Sequence, residues 1–305
     1  MTTFTQRDNR QNVHINNKTI VALVKNTLFY LAIVALLCIM IGPFLWMFIS
    51  SISPQVELTA TPPHWFPKNP TLFRYEALFI GTGDGSTSLP AGIEKFIRGL
   101  TNSMIVSTLT TLVCVSTGTL AAYALARLNV PGKNKFMLGI LSSQMLPIIV
   151  IIIPLYLLLQ KLMLMDSIQG LVLLYTGFML PTVIWIMHSY FETLPRELEE
   201  AAMIDGCNRF QSLTKVIIPL SGPGLVAVSA FAFLSSWNEF FMALIFTGAN
   251  TKTITVTVTE FSSQFGVDFG LMATGGVIGS IPPLVLAFLL QKYIVAGLTA
   301  GSVKG

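Results

Sequence analysis

The chain has 305 residues, of which 53% are hydrophobic and 10% charged, and its mean hydropathy is +0.71. A water-soluble domain carries about 25% charged residues, so this composition excludes an ordinary soluble enzyme and leaves a membrane protein. The net charge of +4 is small and no stretch mixes aromatic with basic residues as RNA-binding motifs do, so the positive balance reads as membrane topology and no nucleic-acid partner is expected.

Residues 1–27 are polar, with Arg7, Arg10, Lys18 and Lys25 against Asp8 alone, and read as a cytoplasmic arm. Residues 28–49 carry no charge and suffice to cross a hydrocarbon core of about 30 Å. The run is too long for the apolar region of a signal peptide and no small-residue cleavage site follows, so it is expected to stay as the first span. Residues 50–99 are rich in Pro, Gly and aromatics, including Pro62-Pro63-His64-Trp65-Phe66-Pro67 and the Gly-rich run 81–88. That loop belongs outside the bilayer, either touching an extracytoplasmic partner or lying as a lid over helix ends. His64 has no second ligand nearby and reads as a surface residue.

Five further apolar stretches follow, at 100–125, 136–159, 170–187, 224–246 and 271–290, which makes an all-α protein with six transmembrane helices. Pro147, Pro154, Pro181, Pro282 and Pro283 lie within them and predict kinks; Gly275-x-x-x-Gly279 and the small residues of 107–122 predict close helix contacts. With the N-terminus inside, the inner segments hold 12 of the 18 basic residues (Arg7, Arg10, Lys18, Lys25, Arg127, Lys133, Lys135, Arg196, Arg209, Lys215, Lys292 and Lys304). This bias places both termini in the cytoplasm. Cys38, Cys114 and Cys207 have neither paired spacing nor a neighbouring His, so no disulfide and no metal site are expected. The single Gly-Lys pair, Gly132-Lys133, lacks the remainder of a phosphate-binding loop, so ATP, if used, binds another chain.

Between the fourth and fifth spans lies a charged island, LPRELEEAAMIDGCNRFQSLTKVIIPLSGP, placed in the cytoplasm as a loop over 191–218. Pro195 suits a helix start, the acids behind it suit the positive end of the dipole, and Gly206 suits a stop; a second helix over 208–217 is ended by Pro219. Leu198 and Ala202 share a face on which another protein's surface can approach closely. The competing reading is a solvated amphipathic loop with ordinary helix-forming alanines.

The order Glu200-Ala201-Ala202-x-x-Asp205-Gly206, followed by Val216-x-Ile218-Pro219, resembles the EAA signature of permease subunits of ABC importers. The tail after the last span, 291–305, reads by composition as a flexible terminus, but Gly-Leu-Thr-Ala-Gly-x-Val-Lys-Gly over 297–305 resembles the end of maltose-type permeases, in particular the shorter of their two subunits. The resemblance runs from the first span to the tail, leaving out the N-terminal arm and the 81–88 run. It implies the type I ABC importer permease fold in a bacterial inner membrane. It also implies a second permease subunit as heterodimer partner, two cytoplasmic ATPase subunits that bind ATP and Mg, an extracytoplasmic solute-binding protein, and no cofactor on this chain. Glu200, Ala201, Ala202, Asp205 and Gly206 would form the coupling loop, Glu200 and Asp205 fixing it by salt bridges or capping; Thr299, Gly301 and Lys304 would reach the ATPase pair. A bulky charged residue at Ala202 is expected to uncouple hydrolysis from uptake without preventing insertion.

Glu239, in Ser235-Ser236-Trp237-Asn238-Glu239-Phe240, is the one carboxylate in the six predicted spans. Asn238 and Glu239 either line a translocation path or bond within the helix packing; Trp237 either joins them or faces lipid. Gln144 and Met145, before the Pro147 kink, are further path candidates, Gln144 as a donor to a sugar hydroxyl. A disaccharide, an oligosaccharide, an acidic saccharide and glycerol phosphate all remain open as cargo. An ion-coupled secondary transporter is the alternative class; it needs a relay of intramembrane acids, for which one glutamate is thin support. No motif of a membrane-embedded enzyme is present.

Overall fold

The computed structural model describes residues 17–62, 64–80, 93–263 and 266–300. Helix α1 (Asn17–Ile52) starts within the expected polar arm, and the predicted loop 50–99 contains α2 (Gln55–Leu58), α3 (Phe73–Ile80) and the first turns of α4 (Ile93–Arg127). Residues 81–92, with the Gly-rich run, lie outside the described residues.

The predicted third span is a broken one. Helices α5 (Lys133–Ser143) and α6 (Ile148–Lys161) meet at 92° around Gln144–Pro147. Pro147 caps α6 with an extended backbone, ψ 130, and its ring disfavours a helical residue ahead of it. Pro154, Pro181, Pro282 and Pro283 stay inside their helices instead.

Helix α7 (Ile168–Thr193) leads to the charged island, which forms α8 (Glu197–Ile204), α9 (Arg209–Ser212), a π-helical turn (Leu213–Ile217) and α10 (Ile218–Leu220). This second limb bends by 80° into α11 (Gly222–Trp237). The predicted span 224–246 stops being helical at Trp237 and resumes only as α12 (Phe241–Phe246). There follow α13 (Ile254–Thr259), a two-residue hairpin of β1 (Ser262–Ser263) and β2 (Gly266–Val267), and α14 (Phe269–Ala300). Residues 291–300, expected to be flexible, continue α14. Among the described residues four helices are long and apolar enough to cross a membrane alone, or up to six segments if each bent pair is one span.

Helix α4 is central. With α7 and α11 it encloses the main apolar core, which includes Cys114, Tyr175, Val183, Phe191 and Val228 and extends to Leu213 and Ile217 of the second limb. A smaller core around Phe96, Trp237, Phe261 and Leu271 joins α3, α4, α11 and α14 at the other end. Helix α1 lies against α14 and leaves nearly all its apolar side chains uncovered by the rest of the chain. Lipid offers no hydrophobic incentive for helices to associate, so close packing must hold them. At Gly118 a Cβ would stand 2.5 Å from Val183 Cγ1, so only glycine permits the α4–α7 approach. Gly118→Leu is expected to lower stability by about 2 kcal/mol through overpacking, read as a lower unfolding midpoint of the detergent-purified protein.

Candidate functional site

The elbow between α7 and α11 is built from two local devices. At the end of α8, Gly206 adopts φ +87, its N–H donates to Met203 O (3.1 Å), and the Cys207 N–H donates to Ala202 O (3.0 Å). These are the paired bonds of a helix stop that favours glycine. Asn208 then opens α9 with a capping box: Gln211 N–H donates to Asn208 Oδ1 and Asn208 N–H to Gln211 Oε1, both at 2.9 Å. Pro219 does not end the second helix as expected. The π turn ahead of it shifts the register, Ile218 N–H donating to Leu213 O, so the helical path runs on through the proline.

Tertiary contacts hold the elbow as well. Glu199 is buried, and it accepts a hydrogen bond from the Tyr123 hydroxyl and faces Arg127, whose Nε lies 3.7 Å from Glu199 Oε2. Arg127 Nη2 also donates to Leu194 O (2.8 Å) at the end of α7. Removing one partner of such a buried pair costs about 3–5 kcal/mol. Glu199, Arg127 and Tyr123 were not singled out from sequence, because a pairing across 76 positions leaves no local signal. The capping box, Asn208-x-x-Gln211, was readable.

Of the predicted elbow residues, Glu200, Ala201, Asp205 and Gly206 are exposed, but Ala202 is only 7% exposed. Two expectations are corrected. Salt bridging and capping fall to Glu199 and to Asn208 with Gln211 rather than to Glu200 and Asp205, and a bulky charge at Ala202 would have to be buried inside this chain. The open surface instead carries Ile204 (86% exposed) and Phe210 (65%).

The break after α11 is the second candidate site. Glu239 Oε1 accepts from Met242 N–H (2.8 Å) and Oε2 from Ala243 N–H (3.0 Å), so its partner is the first turn of α12 rather than Asn238 or a serine. Thr255 Oγ1 donates to the Glu239 carbonyl (2.8 Å). Trp237 is buried and does not face lipid; its Nε1 donates to Gly279 O (3.0 Å) and its ring stacks on Phe233. Asn238 is exposed beside a cavity of about 380 Å³ lined by Trp237, Asn238, Phe240, Thr255, Thr259 and Ser280, among others. Gln144 ties the α5–α6 break to α7 by donating through Nε2 to Thr182 Oγ1 (2.6 Å), and Met145 is 83% exposed beside it. Thr299 lies in α14, while Gly301 and Lys304 fall outside the described residues.

The end of the bundle opposite the elbow is fixed by two residues that sequence reasoning passed over. Asp166, at φ 47, accepts from the backbone N–H groups of Gly248, Asn250 and Thr251 and from the Thr251 hydroxyl, tying the α6–α7 turn to the segment after α12. Burial disfavours its charge, but these donors prevail and hold the carboxyl below its ordinary range. Buried Arg74 joins the end of α1 to the start of α14 through Ser53 O (2.6 Å) and Asp268 (3.3 Å).

Sequence comparison assigns the class. Residues 115–300 match the family described as binding-protein-dependent transport system inner membrane component. The chain belongs to that family. It is a permease of an ABC importer and not an enzyme. The trehalose/maltose transport system permease protein of Thermococcus litoralis is 34% identical over 92% of this chain and 98% of its own length. The sulfoquinovosyl glycerol transport system permease protein of Agrobacterium fabrum is also 34% identical, over 86% and 88%. The diacetylchitobiose uptake system permease protein of Streptomyces coelicolor is 32% identical over 87% and 92%. In fold, this permease is similar to a chain of a bacterial ABC transporter involved in alginate import, with a TM-score of 0.71 over 96% of this chain and 99% of that one at 22% identity.

Two measurements check the site chemistry. Glu239→Gln sets an NH₂ against backbone donors and is expected to lower stability by about 1 kcal/mol, read in thermal unfolding, with the protein still in the membrane. A carboxyl held low in the folded state stabilises above its ordinary value of 3.8 and loses that contribution as pH falls through the lowered one. Acid titration of unfolding should therefore show a smaller loss of stability below about pH 4 in Asp166→Asn than in the parent protein.

Proposed function

We propose that this permease is half of a heterodimeric pore of an ATP-driven importer for a sugar or oligosaccharide, seated in a bacterial inner membrane with both termini in the cytoplasm. The observation that carries the reading is the elbow. A helix pair with its own stop and capping box projects from the end of the bundle where Arg127 lies, and it presents Glu200, Ala201, Ile204 and Phe210 outward. An exposed apolar pair flanked by charge suits a groove on a partner protein. The basic residues of the inner segments support placing this end in the cytoplasm. There a pair of ATPase subunits would seat on it, carrying the ATP and Mg, while this chain holds no cofactor. The helical course of α14 through Thr299 to Ala300 supports the tail, with Gly301 and Lys304 beyond, as a second contact with the ATPase pair.

ATP moves the pore only by binding one state of the complex better than the other. ATPase closure would draw the elbow inward and turn the pore to face outside; hydrolysis would reset it. An extracytoplasmic solute-binding protein would deliver the cargo.

The cavity beside Asn238 supports a saccharide: aromatic faces of Trp237 and Phe240 suit the C–H faces of a pyranose, and Asn238, Thr255, Thr259 and Ser280 suit its hydroxyls. The relatives named above are transporters of trehalose and maltose, sulfoquinovosyl glycerol, and diacetylchitobiose, which agrees with carbohydrate cargo. Glu239, on which an ion-coupled carrier would depend, is engaged by the α12 backbone instead.

The reconstituted complex of both permeases, the ATPase pair and the binding protein should hydrolyse ATP faster with a matching saccharide from a panel of trehalose, maltose, diacetylchitobiose and sulfoquinovosyl glycerol. No stimulation by any saccharide would remove the sugar assignment. Ile204→Asp places a charge at the centre of the proposed contact and is expected to lower ATP-dependent uptake about tenfold or more, with normal amounts of permease in the membrane.

A further inference from the structure

The chain joins α8 to α7 only through the short turn at Leu194–Arg196, a link on which the elbow would pivot if nothing else held it. Helix α4 has no such link, yet the polar contacts that stiffen the turn come from its last two turns. Tyr123 and Arg127 are four residues apart and so share one face of α4. Arg127 holds Leu194 O on the α7 side of the turn and faces Glu199 on the α8 side. The Tyr123 hydroxyl donates to Glu199 and lies 3.5 Å from Arg209 O, at the start of the second limb. The side chains of Arg127 and Glu199 are 3% and 6% exposed, so their attraction is little screened by solvent or salt. Arg127 Nε is buried with no hydrogen-bond partner, because Glu199 Oε2 stands 3.7 Å away. The charge pair is therefore satisfied as an ion pair and through the Tyr123 hydroxyl rather than as a two-bonded fork.

We propose that Tyr123 and Arg127 are positioning residues for transport: through the buried Glu199 carboxylate they lock both limbs of the elbow onto α4, so that displacement of the elbow turns the packed α4–α7 pair instead of flexing the Leu194–Arg196 turn. The inference rests on the reading that an ATPase pair acts on the elbow. Glu199 is thus distinct in role from exposed Glu200 beside it: one faces the partner, the other carries the motion into the bundle.

The test uses the assembled transporter with the native cysteines replaced and spin labels placed at Leu120→Cys on α4 and Lys215→Cys on the second limb, both exposed. Electron–electron distances are measured without nucleotide and after trapping with ATP and vanadate. With Tyr123, Arg127 and Glu199 intact the distance should be the same in both states, because the elbow and α4 move as one body. In Tyr123→Phe, and in the paired Arg127→Met/Glu199→Met variant that leaves no unpaired buried charge, trapping should shift or broaden it. Uptake per ATP hydrolysed should fall about fivefold or more, while the amount of assembled complex stays near that of the parent. If the distance already shifts with both residues intact, or stays fixed in both variants while nucleotide is trapped, the clamp is overturned and the docking reading stands. An intact complex that neither hydrolyses ATP nor traps nucleotide overturns the docking reading and the clamp together.

Discussion

Backbone that leaves a helix within a bilayer has no water to bond, and each N–H and C=O set free there must be met from within the protein. The structure is organised by how this chain meets that requirement at its breaks. At Gln144–Pro147 the backbone N–H groups of Gln144, Met145 and Leu146 turn back to Leu141 O, Ser142 O and Ser143 O, and the Gln144 side-chain amide ties the break to Thr182 on α7. At 238–240 the Glu239 carboxylate takes two backbone N–H groups of α12, and Thr255 supplies its carbonyl with a donor. In the elbow, outside the spans, the π turn ahead of Pro219 re-registers the ladder so that the missing donor leaves the limb continuous. Polar residues in otherwise apolar spans thus shape the backbone first, and the cavity beside Asn238 lies where α11 stops.

The elbow obeys a different logic, being set by local and long-range terms in series. Gly206 and the Asn208–Gln211 box fix the angle between its two limbs from sequence neighbours alone. Its attachment to the bundle comes from residues far away in the chain, the Tyr123, Arg127 and Glu199 cluster and the burial of Leu213 and Ile217 in the main core. Local bonds thus set the elbow's internal angle, and residues distant in sequence fix its base. At the opposite end Asp166 and Arg74 do comparable work, each gathering segments that the sequence keeps apart.

The family resemblance read from the Glu-Ala-Ala pattern and the Gly-rich tail agrees with the match over residues 115–300. That agreement follows from the nature of those motifs. A helix stop at glycine, a short-side-chain pair and a charged first turn are all encoded within a few residues, and the bilayer imposes span lengths that composition reports directly.

Composition, the position of the elbow, its glycine stop and the presence of several long apolar segments were therefore legible in the sequence itself, because each depends on neighbours in the chain or on the solvent. Tertiary structure decided which of two adjacent acids turns inward. Glu199 is buried and Glu200 exposed, Ala202 buried and Ala201 exposed, because one residue along a helix rotates a side chain by about 100°, and what it meets is set by α4, far away in sequence. The same holds for the 92° break at Pro147 and for the end of α11 at Trp237. Proline and glutamate signal that a helix can bend or stop, but the angle depends on which neighbour accepts the freed hydrogen bonds, and that neighbour is brought into place only by the folded bundle.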